Sequence, residues 1–329
     1  MLTYKRKEGS VGQKMFCDRF LLPLMGKPDQ FGNYLCEVTD KKLVIRNGPE
    51  FQPKSKIAFM AHHDTVHKTD GMQKVFYLKD TGFAIVDHKE CLGADCTTGV
   101  WLILEMIKAR VPGLYIIHAG EEIGGIGSTS LVKSKPVWLS NLDFAISFDR
   151  MGTDSIITHQ MGLRTCSERF SSDLESILNL NLKSNSGGVY TDSYEYSNFV
   201  SECTNLSVGY YNQHRETESQ DLVFAEKLRD SLIKDDWDKL VPYRDETVYE
   251  YDDLDYNSPS YRGYTHSTYI SKYDTPDISE VDELLTSFPT MEKIIEEFPY
   301  EIAEILSEYS YDRRSLAKEI IRLHDFAFR

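Results

Sequence analysis

Residues 57–67 read IAFMAHHDTVH, a run of apolar side chains that stops at His62, His63 and Asp64. So short a run, rich in branched and aromatic types, suits a strand buried on both faces better than a helix. Three later stretches have the same character: LYIIHA (114–119), DFAISF (143–148) and NLSVGYY (205–211). Between and after them lie amphipathic stretches. TTGVWLILEMIKAR (97–110), SERFSSDLESILNL (167–180) and SQDLVFAEKLRDSLIKDDW (219–237) place apolar residues at helical spacing. The first ends in Lys and Arg, and the others begin with acidic or hydroxyl side chains, as helix termini favour. Strands alternating with helices predict an α/β fold with a mostly parallel mixed sheet covered on both faces.

The pattern fails near residue 240. VPYRDETVYEYDDLDYNSPSYRGYTHSTYISKYDTPD (241–277) holds eight tyrosines among acids, Ser and Pro, with few aliphatic residues to bury. It reads as an acidic linker or a segment draped over the surface. Beyond it, residues 278–329 read as short helices broken at Pro289 and Pro299, a small helical appendage. The expected organisation is therefore a catalytic domain over 1–240, a linker over 241–277 and a tail over 278–329.

The 329 residues carry 37 basic and 52 acidic side chains, a formal charge of −15. This balance, without a Lys/Arg block, argues against nucleic acid as a partner. No apolar run approaches the roughly 20 residues needed to cross a bilayer, and MLTYKRKEGSVGQ leads into no secretory apolar segment, so no membrane partner and a cytoplasmic location are expected. Six scattered cysteines lack metal-finger spacing, which favours free thiols in a reducing compartment.

Each apolar run ends at or near a possible metal ligand: His62 after the first, Glu121 and Glu122 after the second, Asp149 after the third and His214 after the fourth. The ends of parallel strands gather along one sheet edge, so residues far apart in sequence can converge there. Asp95, in LGADCTTGV between a glycine-containing loop and a helix start, can face the same edge. Imidazole and carboxylate donors without thiolate suit zinc, or a similar ion such as cobalt or manganese, in a hydrolytic site; Cys96 is set aside as a ligand. Five ligands exceed what one tetrahedral ion needs and suit two ions if Asp95 bridges. Glu121 is then uncommitted, free to take a proton from water and hand it to a leaving amine.

Taken together these residues resemble the co-catalytic di-zinc exopeptidases, the superfamily of peptidase T, the aminoacylases and the single-domain aminopeptidases. His62-His63-Asp64-Thr65-Val66 is similar to its His-x-Asp-Thr-Val motif, LGAD (92–95) to its bridging-aspartate motif, and Glu121-Glu122 in GEEIGGIGS to its Glu-Glu motif. The resemblance spans about residues 55–215. It implies a three-layer zinc-exopeptidase-like fold, with one ion on His62, Asp95 and Asp149 and the other on Asp95, Glu122 and His214. It further implies Glu121 as general base and Asp64 as hydrogen-bond partner to the far nitrogen of His62. Cys96 stands where relatives carry an acidic or amide residue, and Thr97 and Thr98 where many carry lysine; the expectation is an unchanged metal count with altered rate or metal preference. Only 65 residues separate Asp149 from His214, too few for a lid domain. Without a lid, GGVYTDSYEYS (187–197) is the candidate supplier of substrate contacts through Tyr190 and Asp192.

Other residues read as structural. His63 and His67 are expected at the pocket mouth and His118 in the core. GGIGS lacks the Lys-Ser or Lys-Thr of a phosphate loop, and no Gly-x-Ser-x-Gly elbow supports serine hydrolysis. The expected activity is removal of N-terminal residues from peptides. Hydrolysis of N-acyl amino acids or dipeptides is the alternative on the same site, and a metal-stabilised binding module the alternative of another class.

Overall fold

In the computed structural model, which describes residues 1–46, 51–87, 89–134, 136–234, 237–248, 250 and 293, the run at 57–62 is a central strand. The strands in chain order are β1 (Tyr34–Thr39), β2 (Lys42–Ile45), β3 (Ile57–His62), β4 (Val75–Leu78), β5 (Phe83–Val86), β6 (Gly113–His118) and β7 (Phe144–Arg150). There follow β8 (Ser155–Ile157), β9 (His159–Gln160), β10 (Leu163–Arg164), β11 (Lys183–Asn185), β12 (Glu202–Ser207), β13 (Tyr210–Tyr211) and β14 (Ser219–Asp221). The α-helices are α1 (Val11–Phe16), α2 (Leu22–Met25), α3 (Ala94–Ala109), α4 (Ile126–Lys133), α5 (Glu168–Leu178) and α6 (Leu222–Leu232).

Eight strands form one mixed sheet in the order β11-β8-β12-β7-β3-β6-β1-β2. Its centre, β12-β7-β3-β6, is parallel, while β1 and β2 close one side antiparallel. This is the predicted α/β architecture. Alternate residues of each central strand feed two cores. Phe59, Tyr115, Ile146 and Phe148 pack with α3, α5 and α6 residues, whereas Ala58, Met60, Ile116 and Ala145 pack with Leu131 and Val132 of α4, Trp138 and Tyr196.

The fourth apolar run does not form one strand. Glycine at 209 has φ +94°, a conformation costly for other residues, and there the chain leaves the main sheet. Tyr210 and Tyr211 pass into a second, four-stranded sheet of order β13-β14-β5-β4. Four strands of two to four residues carry too little periodicity to announce this sheet in the sequence.

The chain divides into two compact units, Met1–Leu254 and Asp255–Arg329. Most of the expected linker and all of the expected tail except Lys293 lie outside the described residues. The first residues of the linker are held to the domain: Glu202 accepts from the backbone N–H groups of Tyr243 (2.8 Å) and Arg244 (3.0 Å), and Arg244 donates to the carbonyls of Ser197 (3.0 Å) and Ser201 (2.9 Å). All six cysteines are buried free thiols. No helix among the described residues is long and apolar enough to cross a membrane.

Phe59 sits where the sheet meets its larger core, with ring centroids 5.4 Å from Tyr115, 5.9 Å from Phe148 and 4.8 Å from Trp237. Phe59→Ala leaves a cavity there and is expected to cost about 3–5 kcal/mol. Denaturant titration checks this; a loss under about 1 kcal/mol would show that the site collapses around the void.

Candidate metal centre

The parity that sorts core residues also aims the expected ligands. His62 continues the Ala58, Met60 face of β3, and Asp149 continues the Ala145, Ser147 face of β7. These strands run parallel with Met60 opposite Ser147, so two residues further on His62 and Asp149 leave the same edge on the same side. Glu121 and Glu122 follow β6, the other neighbour of β3. Asp95 enters in the first turn of α3, and His214 on the loop between β13 and β14.

The five predicted ligands converge. His62 Nε2 lies 3.2 Å from Asp95 Oδ1 and 3.4 Å from Asp149 Oδ1. His214 Nε2 lies 3.2 Å from Asp95 Oδ2 and 3.0 Å from Glu122 Oε2. Asp95 thus presents one oxygen to each imidazole. Glu121 Oε2 stands 3.9 Å from His62 Nε2, near the cluster but outside these shorter contacts. Asp64 Oδ1 is 3.4 Å from His62 Nδ1, and its two oxygens also accept from the backbone N–H groups of Glu121 (3.2 Å) and Glu122 (3.1 Å). One buried carboxylate therefore locates an imidazole and the acidic pair together.

Ligand atoms roughly 2.0–2.1 Å from a tetrahedral zinc ion stand roughly 3.3 Å apart. The contacts from His62 to Asp95 and Asp149, and from His214 to Asp95 and Glu122, fall at that edge length. The charge balance points the same way. Burial, then the negative charge of Asp95, pushes Asp149 up to about 6 and Glu122 up to about 7. Burial also drives Glu121 well above the usual carboxylate range, with Asp149, Asp192 and Glu122 adding to it against His62. Burial alone would lower both histidines, but their carboxylate neighbours outweigh it; His214 is pushed up to about 11, chiefly by Asp95 and Glu122. The pocket is short of positive charge, and its donors fit divalent cations.

Supporting contacts come from residues with no motif signal. Glu218 is buried and accepts from three consecutive backbone N–H groups, Gly93 (2.8 Å), Ala94 (2.8 Å) and Asp95 (3.1 Å). It ties the His214 loop to the loop that delivers Asp95. In HRETES it reads as one acid among several in a solvated turn. Arg6, fully buried, stacks 4.3 Å from the Phe16 ring centroid and donates to the Gly93 carbonyl at 3.4 Å. Asp149 is steadied by Thr191 Oγ1 (2.9 Å to Oδ2), and Tyr210 donates to its backbone carbonyl (3.0 Å).

Cys96 comes within ligand range of His62 and Asp149, but its thiol donates to the Phe148 carbonyl at 3.1 Å and burial pushes its pKa well up, which keeps the proton on sulfur. Thr97 and Thr98 are buried, bonded to the Gly93 carbonyl and Gln220. Asp192 is buried with Oδ1 unpartnered, and burial pushes it up to about 8. A Cβ on Gly125 would lie 1.7 Å from the Tyr190 hydroxyl, so the glycine turn after Glu121-Glu122 is what admits that ring. His118 is a core residue as expected, bonded to Asn33 Oδ1 at 3.0 Å. His67 is not at a pocket mouth: it is buried between Thr65 Oγ1 (2.8 Å) and Gln73 Oε1 (3.1 Å), because the N-terminal segment covers it. His63 lines a cavity of about 240 Å³ with Gln13, Cys17 and Tyr34.

Comparison with protein-family models and with curated proteins finds no match. Solved structures do match. The aminopeptidase PepT from Bacillus cereus superposes with a TM-score of 0.52 at 13% identity, over 70% of this chain and 93% of that one. A tripeptidase from Staphylococcus aureus gives 0.51 at 15% identity, over 70% and 94%. A TET aminopeptidase from a marine sediment thaumarchaeon gives 0.51 at 10% identity, over 70% and 93%. This chain has the aminopeptidase fold. At these identities the likeness is one of architecture, in accord with the zinc-exopeptidase resemblance of the motifs.

Because ligands must be deprotonated to coordinate, an ion bound at this cluster through His214 would displace the proton of that imidazole, whose pKa Asp95 and Glu122 push up to about 11. Divalent ion binding at neutral pH is therefore expected to release at least about one proton per chain and to weaken on acidification. Calorimetry in buffers of different ionisation enthalpy measures it, and binding without proton release would contradict the arrangement. Glu218→Ala should weaken metal affinity by about 10–100-fold while the fold persists, since it frees the backbone that aims Asp95; unchanged affinity by the same calorimetry would remove Glu218 from the site.

Proposed function

We propose that the protein is a metal-dependent hydrolase of amide bonds, acting as an aminopeptidase on peptides. The observation that carries this is Asp95 between His62 and His214, with Glu121 left uncommitted beside them. His62, Asp95 and Asp149 would hold one divalent ion, and Asp95, Glu122 and His214 a second, with zinc favoured by nitrogen and oxygen donors at tetrahedral spacing. Bound there, the ions would supply Lewis acidity toward a carbonyl oxygen and toward water.

The chain's own residues do the rest. Glu121 takes the proton of the attacking water and delivers it to the departing nitrogen, since its Oε2 stands beside the cluster, 3.9 Å from His62 Nε2, without being one of the five proposed ligands. Asp64 fixes the Glu121 backbone and stands at His62 Nδ1, so the proton carrier and a ligand share one anchor.

The sign of the pocket favours a free amine. Asp192 is buried with Oδ1 unpartnered and is assigned to neither ion, so it can pair with a substrate α-ammonium, whereas an N-acyl amino acid brings another carboxylate to a pocket already lined by acids. Asp192 and Tyr190 are the proposed substrate-side contacts.

Glu121→Gln is expected to lower turnover of an aminoacyl-anilide by at least about 100-fold while metal content per chain is unchanged. A variant as fast as the parent would remove Glu121 from the mechanism. Run on substrates with free and acetylated amines, the same assay separates aminopeptidase from amidohydrolase. Metal-replete protein inert to all of them would support the binding-module reading.

A further inference from the structure

The rim of the metal centre carries large apolar side chains that the proposed chemistry does not use. Ile123 directly follows the proposed ligand Glu122 and is 56% exposed; Ile126, three residues on, is 49% exposed. The turn between them brings both to one spot. The N–H of Ile126 donates to the Gly120 carbonyl at 3.1 Å, those of Gly124 and Gly125 donate to the Glu121 carbonyl at 3.0 Å, and a Cβ on Gly120 would lie 3.3 Å from Ile123 Cγ1 and 3.4 Å from Ile126 Cβ. The stretch that leads to Asp192 meets this turn. Its Val189 is 45% exposed, and the next residue, Tyr190, sets its hydroxyl where a Cβ on Gly125 would go, beside Ile126 in the chain. Met161, 47% exposed, adjoins the same stretch, its N–H donating to the Gly188 carbonyl at 3.2 Å. One apolar lip therefore joins the segment that bears Glu121 and Glu122 to the segment that bears Asp192.

The stereochemistry of a peptide decides what covers this lip. In the first residue of a peptide the amine, the scissile carbonyl and the side chain share one α-carbon. With the ammonium paired to the unpartnered Oδ1 of buried Asp192 and the carbonyl at the metal centre, the side chain projects along the mouth beside Asp192, where the lip lies. The lip also sorts side chains by charge. Residues 123–132 and 184–191 include no charged side chain, and no lysine or arginine occurs from 111 to 132 or from 184 to 214. An acidic side chain finds no cation in these stretches, and a basic one leaves water for an apolar surface. Apolar walls around a few convergent polar groups are the composition of sites that take apolar ligands and orient them by those groups.

We infer that Ile123, Ile126 and Val189 select peptides whose N-terminal residue has a large apolar side chain, such as leucine or methionine, which rests on the protein being an aminopeptidase. Tyr190 ties the lip to the Glu121-Glu122 turn, and Asp192 aligns the amine so that the side chain meets the isoleucines.

Initial rates of the zinc-loaded full chain on leucyl-, alanyl-, lysyl- and glutamyl-anilides test this. The parent is expected to show a kcat/KM for the leucyl substrate at least about tenfold above each of the others. Ile123→Asp, which sets a carboxylate in the lip, is expected to lower the leucyl value and raise the lysyl one, shifting their ratio at least about tenfold. Ile126→Asp is expected to shift it in the same direction; circular dichroism checks that each variant folds, and should one fail, the other gives the answer. A parent that does not prefer the leucyl substrate overturns the inference. So does a leucyl-to-lysyl ratio that neither substitution moves, since the lip then serves another occupant, such as a second copy of the chain. Both of those results come with turnover and leave the aminopeptidase reading standing, whereas zinc-loaded protein that turns over none of the four substrates overturns the two together.

Discussion

Two imidazoles on opposite sides of one buried carboxylate set the terms for the rest of the molecule. Asp95 offers one oxygen to His62 and the other to His214, each at 3.2 Å, while Glu121, Glu122, Asp149 and Asp192 crowd around them with little access to water. Taking so many acids out of water is costly unless positive charge accompanies them. The raised carboxyl groups and the upward pull on both histidines are the signature of that shortage. The fold brings the acids together because three adjacent parallel strands, β6, β3 and β7, deliver their last residues to one edge.

Holding Asp95 between its partners requires more than its own loop. Glu218 grips the backbone that leads into it, the N–H groups of Gly93, Ala94 and Asp95 itself, from the His214 loop, and Arg6 reaches the Gly93 carbonyl from the N-terminal segment. Asp64 performs the same service across the site, joining His62 to the Glu121-Glu122 backbone. The proposed ligands come from five separate segments, but these three buried charged residues couple the segments pairwise. A change in any of them is felt at atoms it does not touch, which is how outer groups tune a metal site.

Much of this was legible in the linear order of residues, for a physical reason. A strand buried on both faces must be apolar to its last residue, so a polar residue at its end is conspicuous, and IAFMAHHD and AISFDR announce both the strands and the ligands. Glu218 and Arg6 gave no such sign, because a lone acid in HRETES and a lone arginine in KRKEG look like ordinary solvated charges. Their burial is a consequence of tertiary packing. The second sheet was equally silent: its strands are short, and the turn at Gly209 that diverts Tyr210 and Tyr211 from the main sheet lies inside a run that reads as continuous. His67 was misplaced at a pocket mouth since nothing in TVHK reveals that the first residues of the chain fold over it.

The central claim is that Asp95 is shared by two cations. Crystals of the zinc-loaded protein, measured on either side of the zinc absorption edge, test it most directly. The account predicts two anomalous peaks roughly 3.5–4 Å apart, one bounded by His62 and Asp149, the other by Glu122 and His214, with an oxygen of Asp95 on each. A single peak, or two peaks with Asp95 bound to only one, would contradict it.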